Sequence, residues 1–122
     1  MTKDKALYAW FNEFMTFYPD TNVPEDVVFP YGTYTLSTAA FGDDPVSLTV
    51  QMWFRTESEA VPNQKVQELS DRIGRGGVVV PCDGGAIWLT RGSPFSISAA
   101  DATDSAVKLR QINITAEYFT QD

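Results

Sequence analysis

Ser47-Leu48-Thr49-Val50-Gln51-Met52-Trp53-Phe54-Arg55 alternates strictly. Leu48, Val50, Met52 and Phe54 fall on one side, and Ser47, Thr49, Gln51, Trp53 and Arg55 on the other. A period of two over nine residues predicts a strand with one apolar and one polar face, the mark of a sheet packed on one side. Upstream, Thr33-Tyr34-Thr35-Leu36 is a second strand by its β-branched and aromatic content, and residues 38–45 form a turn region. The short connection predicts an antiparallel hairpin.

Outward from this hairpin the period changes. In residues 5–16, Leu7, Trp10, Phe11 and Phe14 recur at helical spacing, with Thr2 or Asp4 as the cap and Pro19 limiting continuation. Residues 17–30, with three prolines, read as a long ordered loop. Residues 56–62 are acidic and end in Pro62, after which Asn63 is the expected N-cap of a second helix reaching about Gly74. Val66, Leu69 and Ile73 supply its apolar stripe, and Gly74, Gly76 and Gly77 end it.

Val78-Val79-Val80, the turn Asp83-Gly84-Gly85 and Ala86–Thr90 then read as strand, turn and strand. Ser93–Ile97 is a shorter extended piece, and residues 98–106 a loop. The last strand, about Val107–Thr120, carries Ile112, Ile114, Ala116 and Tyr118 on one face and Asn113, Thr115 and Glu117 on the other. The expected fold is α+β, in the order α-β-β-α-β-β-β. It comprises a mainly antiparallel sheet of four to five strands packed with two helices, in a single domain over residues 1–122.

Composition narrows the chemistry. The 122 residues contain no His and one Cys, and 43% are hydrophobic. Zinc, copper and haem sites lose their usual imidazole and thiolate ligands, and His-based triads and Cys-His dyads lose a member. The expectation is a protein that is not an enzyme and holds no cofactor or metal. Nine Lys and Arg face sixteen Asp and Glu, for a net charge of −7. Residues 1–63 hold nine of the acids against three bases, so the charge is directional. Sequence-specific nucleic-acid binding is disfavoured, since it draws on clustered cations. A solvated, solubilising surface is the plainer meaning of the acids. No signal peptide or span of about 20 apolar residues is visible, and Cys82 has no partner, so a soluble intracellular protein with no membrane contact is expected.

Several local patterns invite a function. Gly74-Arg75-Gly76-Gly77 follows a helix and precedes a strand, so carbonyls face it, and it reads as a C-cap rather than a phosphate loop. Glu25-Asp26, Asp43-Asp44 and Glu57/Glu59 are acidic pairs without the spacing of a calcium loop. Cys82 has no basic neighbour to activate it. Asn113-Ile114-Thr115 matches a glycosylation sequon by chance in a chain without an export signal. Trp53, on the polar face of its strand, either stacks on a sugar ring or is covered by a helix or a neighbouring subunit. Trp88 shares the sugar-stacking alternative. Phe41 stands in a loop of small and acidic residues, where an apolar tip marks a contact surface or folds back on its own domain.

The whole pattern resembles the tail terminator proteins of phages with long, non-contractile tails, often labelled minor capsid or minor tail proteins. The likeness is carried by the helix Ala6–Met15, Phe29-Pro30-Tyr31-Gly32-Thr33-Tyr34, and Leu48–Phe54 ending in Arg55-Thr56. The helix Asn63–Gly74, Gly84–Phe95 and the closing Ile112–Tyr118 complete it. The loop at 17–30 is longer than a minimal version of that fold requires.

The resemblance implies a homo-oligomer, a hexameric ring at the head-proximal end of the tail tube. Such a ring caps tube polymerisation and meets the head–tail connector, in the virion tail and, during assembly, the host cytoplasm. Its partners would be further copies of itself, the tail-tube protein and the connector protein. An acidic inner rim would let DNA pass without sticking. By loop position and chemistry, Phe41, Asp43, Asp44 and Arg91 are candidate subunit or partner contacts, and Trp53 joins them as an aromatic on the polar face of its strand. The alternatives are another head–tail joining or tail-tube component, a small aromatic-dependent glycan-binding module, and a metal-independent enzyme built from carboxylates, Tyr and Lys.

Overall fold

The alternation of Leu48, Val50, Met52 and Phe54 is expressed in full: all four are buried, while the residues between them keep contact with solvent. In the computed structural model, which describes residues 1–100 and 103–122, the order is α1 (Lys3–Phe14), β1 (Phe17–Pro19), β2 (Tyr31–Tyr34), β3 (Val46–Arg55), α2 (Ala60–Ile73), β4 (Val78–Cys82), β5 (Gly85–Ala100) and β6 (Val107–Thr120). The fold is α+β, and its strands form one sheet ordered β1-β2-β3-β6-β5-β4. The long β3–β6 pair, from Val46 opposite Ala116 to Arg55 opposite Val107, is its spine.

Six strands replace the expected four to five. The addition is β1, inside the stretch read as a loop, and it pairs parallel to β2, with Phe17 opposite Gly32. The other four pairings are antiparallel. Asn12 anchors the new strand: its side-chain carbonyl accepts the Phe17 N–H at 3.1 Å, and its amide donates to the Phe17 carbonyl at 3.2 Å. Three residues are too few for alternation to register, and a parallel partner must arrive through the distant crossover of residues 20–30.

The second helix begins earlier than expected. Pro62 lies within its first turn rather than ahead of it, because the first N–H groups of a helix have no intrahelical acceptor and proline forfeits nothing there. Glu59 takes the N-cap position, and the Ser58 hydroxyl accepts the Ala60 N–H at 3.1 Å. Asn63 is therefore not the cap. The helix does end at Gly74, whose φ of 80° suits glycine and whose N–H returns to the Ser70 carbonyl at 2.9 Å.

The extended piece 93–97 is not separate either. It continues β5 past an irregularity between Arg91 and Ser96, bridged by the Asn113 amide donating to the Pro94 carbonyl at 2.8 Å. Residues 98–100, read as loop, belong to this strand; residues 101 and 102 of that expected loop lie outside the described residues.

Both helices lie against the inner face. α1 touches both edge strands, β1 and β4, so the sheet curls until its two ends reach one helix. Its Leu7, Trp10 and Phe11 are buried as their spacing predicts, and the Phe11 ring stacks on Tyr34 at 4.7 Å. α2 covers β5 and β6 with Leu69 and Ile73. Arg72 ties the helices together, donating to the Trp10 carbonyl and to Glu13, each at 2.8 Å.

Candidate functional site

The inner face carries the buried core beneath the two helices, with a hollow of about 260 Å³ where α1 meets β4, and the candidate contact surfaces sit on the outer face and at the two ends of the β3–β6 spine. At one end, β3 begins and β6 finishes, joined by the chain termini and the loop between β2 and β3. This loop is held by backbone and side-chain bonds. The Phe41 N–H donates to the Thr120 carbonyl at 2.8 Å, and Asp43 closes a turn by accepting the Ala40 N–H at 2.9 Å. Tyr118 donates its hydroxyl to the Ser37 carbonyl, and Lys3 donates to the Ala39 carbonyl at 2.8 Å. Burial pushes the Tyr118 phenol up to about 12, so it remains a donor across the physiological range.

On this rigid base Phe41 is 73% exposed, with its ring tilted against Phe119 and ring centres 6.2 Å apart. A shallow groove of about 360 Å³ runs beside them, floored by Gly84, Thr120 and Gln121. Carboxylates surround this end. Asp43 and Asp44 follow Phe41, Asp83 pairs with the N-terminal ammonium at 2.8 Å, and Asp122 and Asp4 line the neighbouring hollow. The Thr2 hydroxyl, donating to Asp4 at 2.5 Å, holds that carboxyl below its usual value.

At the other end β3 finishes and α2 begins. Phe29, Pro30, Phe54, Arg55, Thr56 and Val61 line a groove of about 500 Å³, with Arg55 as the single charge on its wall among the described residues. The Arg55 guanidinium lies 4.8 Å from the Phe29 ring centre and bonds Asp104 at 3.0 Å. Val61 is half exposed. Beneath the start of α2, the buried Arg110 reaches from the inner face of β6 to Glu59 and to Asn63, the latter at 2.9 Å. The Arg110 hydrogen bond holds the Glu59 carboxyl below its usual value.

The five expected contacts are thus distributed rather than gathered. Phe41, Asp43 and Asp44 share one loop, although the Asp43 carboxylate is partly engaged in accepting the Ala40 N–H. Trp53 stands on the outer face near the opposite end. Among the described residues both helices lie on the other face of the sheet, and the Trp53 ring lies nearly parallel to Tyr31 across the strands, with centres 5.2 Å apart and planes 16° apart. One face of the indole is therefore occupied, which weakens a sugar-stacking role. Arg91 points to α2 and donates to the Ser70 hydroxyl at 2.8 Å.

The Gly74–Gly77 cluster caps a helix C-terminus, and Trp88 donates its indole N–H to the Gly76 carbonyl at 3.0 Å. Burial raises the Cys82 thiol, the direction of an unreactive cysteine. Among the described residues no group of three or more His, Cys, Asp or Glu side chains gathers to hold a metal ion, and no helix is long and apolar enough to cross a membrane.

Sequence reasoning missed the groove and Phe119. Phe119 carried a signal: it is a large apolar residue in phase with Asn113, Thr115 and Glu117 on the polar side of β6. No protein-family model, curated protein or solved structure matches this chain.

Proposed function

We propose that the chain is a structural assembly protein, a ring-forming tail terminator that caps a phage or prophage tail tube and joins it to the head connector. The observation that carries this reading is Phe41. An aromatic side chain 73% exposed, on a loop tied at several points to the sheet, is a preorganised contact rather than a floppy tip. Support comes also from the full-length sequence resemblance and from the acidic character of the end on which Phe41 stands. A rigid apolar projection ringed by carboxylates suits a specific protein partner and repels DNA.

The test is light scattering after size exclusion across a range of concentrations, with negative-stain images of any large species and a binding assay on the ends of purified tail tubes. A closed hexameric ring, or selective binding to tube ends, is the expected result. A chain that stays monomeric at every concentration and ignores tube ends would sink the proposal. Incorporation along the whole tube would instead favour a tail-tube component.

A further inference from the structure

The projection and the Phe29/Phe54/Val61 groove lie at opposite ends of the same strands. Phe41 is bonded to Thr120, beyond the start of β3, while the groove is walled by Phe54, Arg55 and Thr56 at and past its finish. Ten residues of strand separate them, about 33 Å at the usual rise, so Phe41 does not reach the groove of its own chain.

The two surfaces are nonetheless complementary. Phe41 is a single aromatic ring, followed two and three residues later by Asp43 and Asp44. The groove is lined by Phe29, Pro30, Phe54 and Val61, and its one charged wall residue among the described residues is a guanidinium held over Phe29. The bond from Arg55 to Asp104 is about half exposed, so the cation can turn to a carboxylate arriving at the rim without stranding a buried partner. A buried aromatic anchor filling an apolar slot, ringed by contacts that exclude water, is a common construction of an interface hot spot.

We propose that the Phe41 loop of one copy of this chain docks into the Phe29/Phe54/Val61 groove of the next, with Asp44 facing Arg55. The patches differ, so the contact is heterologous: every copy offers one projection and one groove, and repetition gives a ring if the rotation closes. This rests on the ring-forming reading above and names its subunit contact.

Two single variants test it. Phe41→Ala removes the projection and leaves the groove; Val61→Asp spoils the groove and leaves the projection. Both positions are exposed, and an acid in the first turn of α2 is compatible with the helix dipole. In sedimentation velocity, wild type should self-associate with rising concentration, and each variant alone should lose at least tenfold in apparent association constant. An equimolar mixture of the two should recover a one-to-one dimer and nothing larger, because only one intact projection and one intact groove remain. That recovery also shows that both variants are folded.

A Val61→Asp chain that associates like wild type overturns the proposal, as does a mixture without recovery, or a wild type that stays monomeric at the highest soluble concentration. Failure here is separable from failure of the terminator reading. Rings that still close in Val61→Asp discard this contact and keep the ring. Head-to-tail association that never closes and never binds tube ends keeps the contact and discards the terminator.

Discussion

The two faces of the β3–β6 pair are built from alternate residues of the same two strands, yet they differ in what holds them. On the inner face Leu48, Val50, Met52, Ile112 and Ile114 are essentially inaccessible and pack beneath two helices. On the outer face Thr49, Gln51, Trp53, Asn113 and Thr115 remain in partial contact with water, and order comes from pairs across strands, above all Trp53 on Tyr31. Period-two patterning therefore assigns a residue to a face. What the face then costs to disturb depends on whether another layer covers it.

The largest break should come from the covering layer itself. Phe11 on α1 is fully buried and contacts the rings of Trp10, Phe17 and Tyr34. Phe11→Ala should cost about 3–5 kcal/mol in urea unfolding, the range for deleting a buried ring. A loss below about 1 kcal/mol would mean that α1 is not the lid on the inner face.

Next in size is Gly32→Ala, at the junction of β1 and β2. A Cβ there would stand 2.2 Å from the Phe17 ring, and that ring is itself buried against Phe11 with little room to withdraw. The expected loss is about 1–3 kcal/mol, the range for overpacking a filled core. An unchanged urea midpoint would show that β1 is not seated on β2 as the structure places it.

Trp53→Ala samples the outer face directly. The indole is half-buried and stacked on one neighbour, so its removal should cost about 1 kcal/mol, much less than Phe11→Ala. Titration with oligosaccharides, followed by Trp fluorescence, should show no saturable quenching in wild type. Saturable quenching that Trp53→Ala abolishes with the fold intact would favour the glycan-binding alternative over the assembly reading.

These contrasts explain what could be read in advance. The faces of β3 and β6 were legible because alternation over nine or more residues is a local signal, and Phe41 was legible because an aromatic among small and acidic neighbours is conspicuous within its own loop. β1 was not legible, being three residues long with its partner more than ten residues away. The start of α2 was misplaced because Pro62 marks a boundary only if its position in the first turn is unknown. The groove was hidden for a different reason. Phe29 and Pro30 just before β2, Phe54 to Thr56 at the finish of β3, and Val61 in α2 come from three separate stretches of chain, and only the register of β2 on β3 and the docking of α2 bring them together.

Arg110 is the exception to the inner face, and it gives the smallest of the expected effects. In phase with Ile112 and Ile114, it is carried inward and is 2% exposed, which would be costly for an unpaired cation. Glu59 and Asn63 at the start of α2 receive it, and Glu59 itself remains open to solvent. Because Glu59 has a lowered pKa in the folded chain, its contribution is present above the ordinary carboxylate value and is lost as pH falls through the folded value. Wild type should therefore exceed Glu59→Gln in Tm at neutral pH by a small margin, since the amide oxygen and Asn63 still accept from Arg110. That margin should vanish on acidification below the usual carboxylate range. A gap that persists at low pH would mean that Glu59 acts through shape or helix capping rather than charge, and that Arg110 is held inward by packing and Asn63 alone.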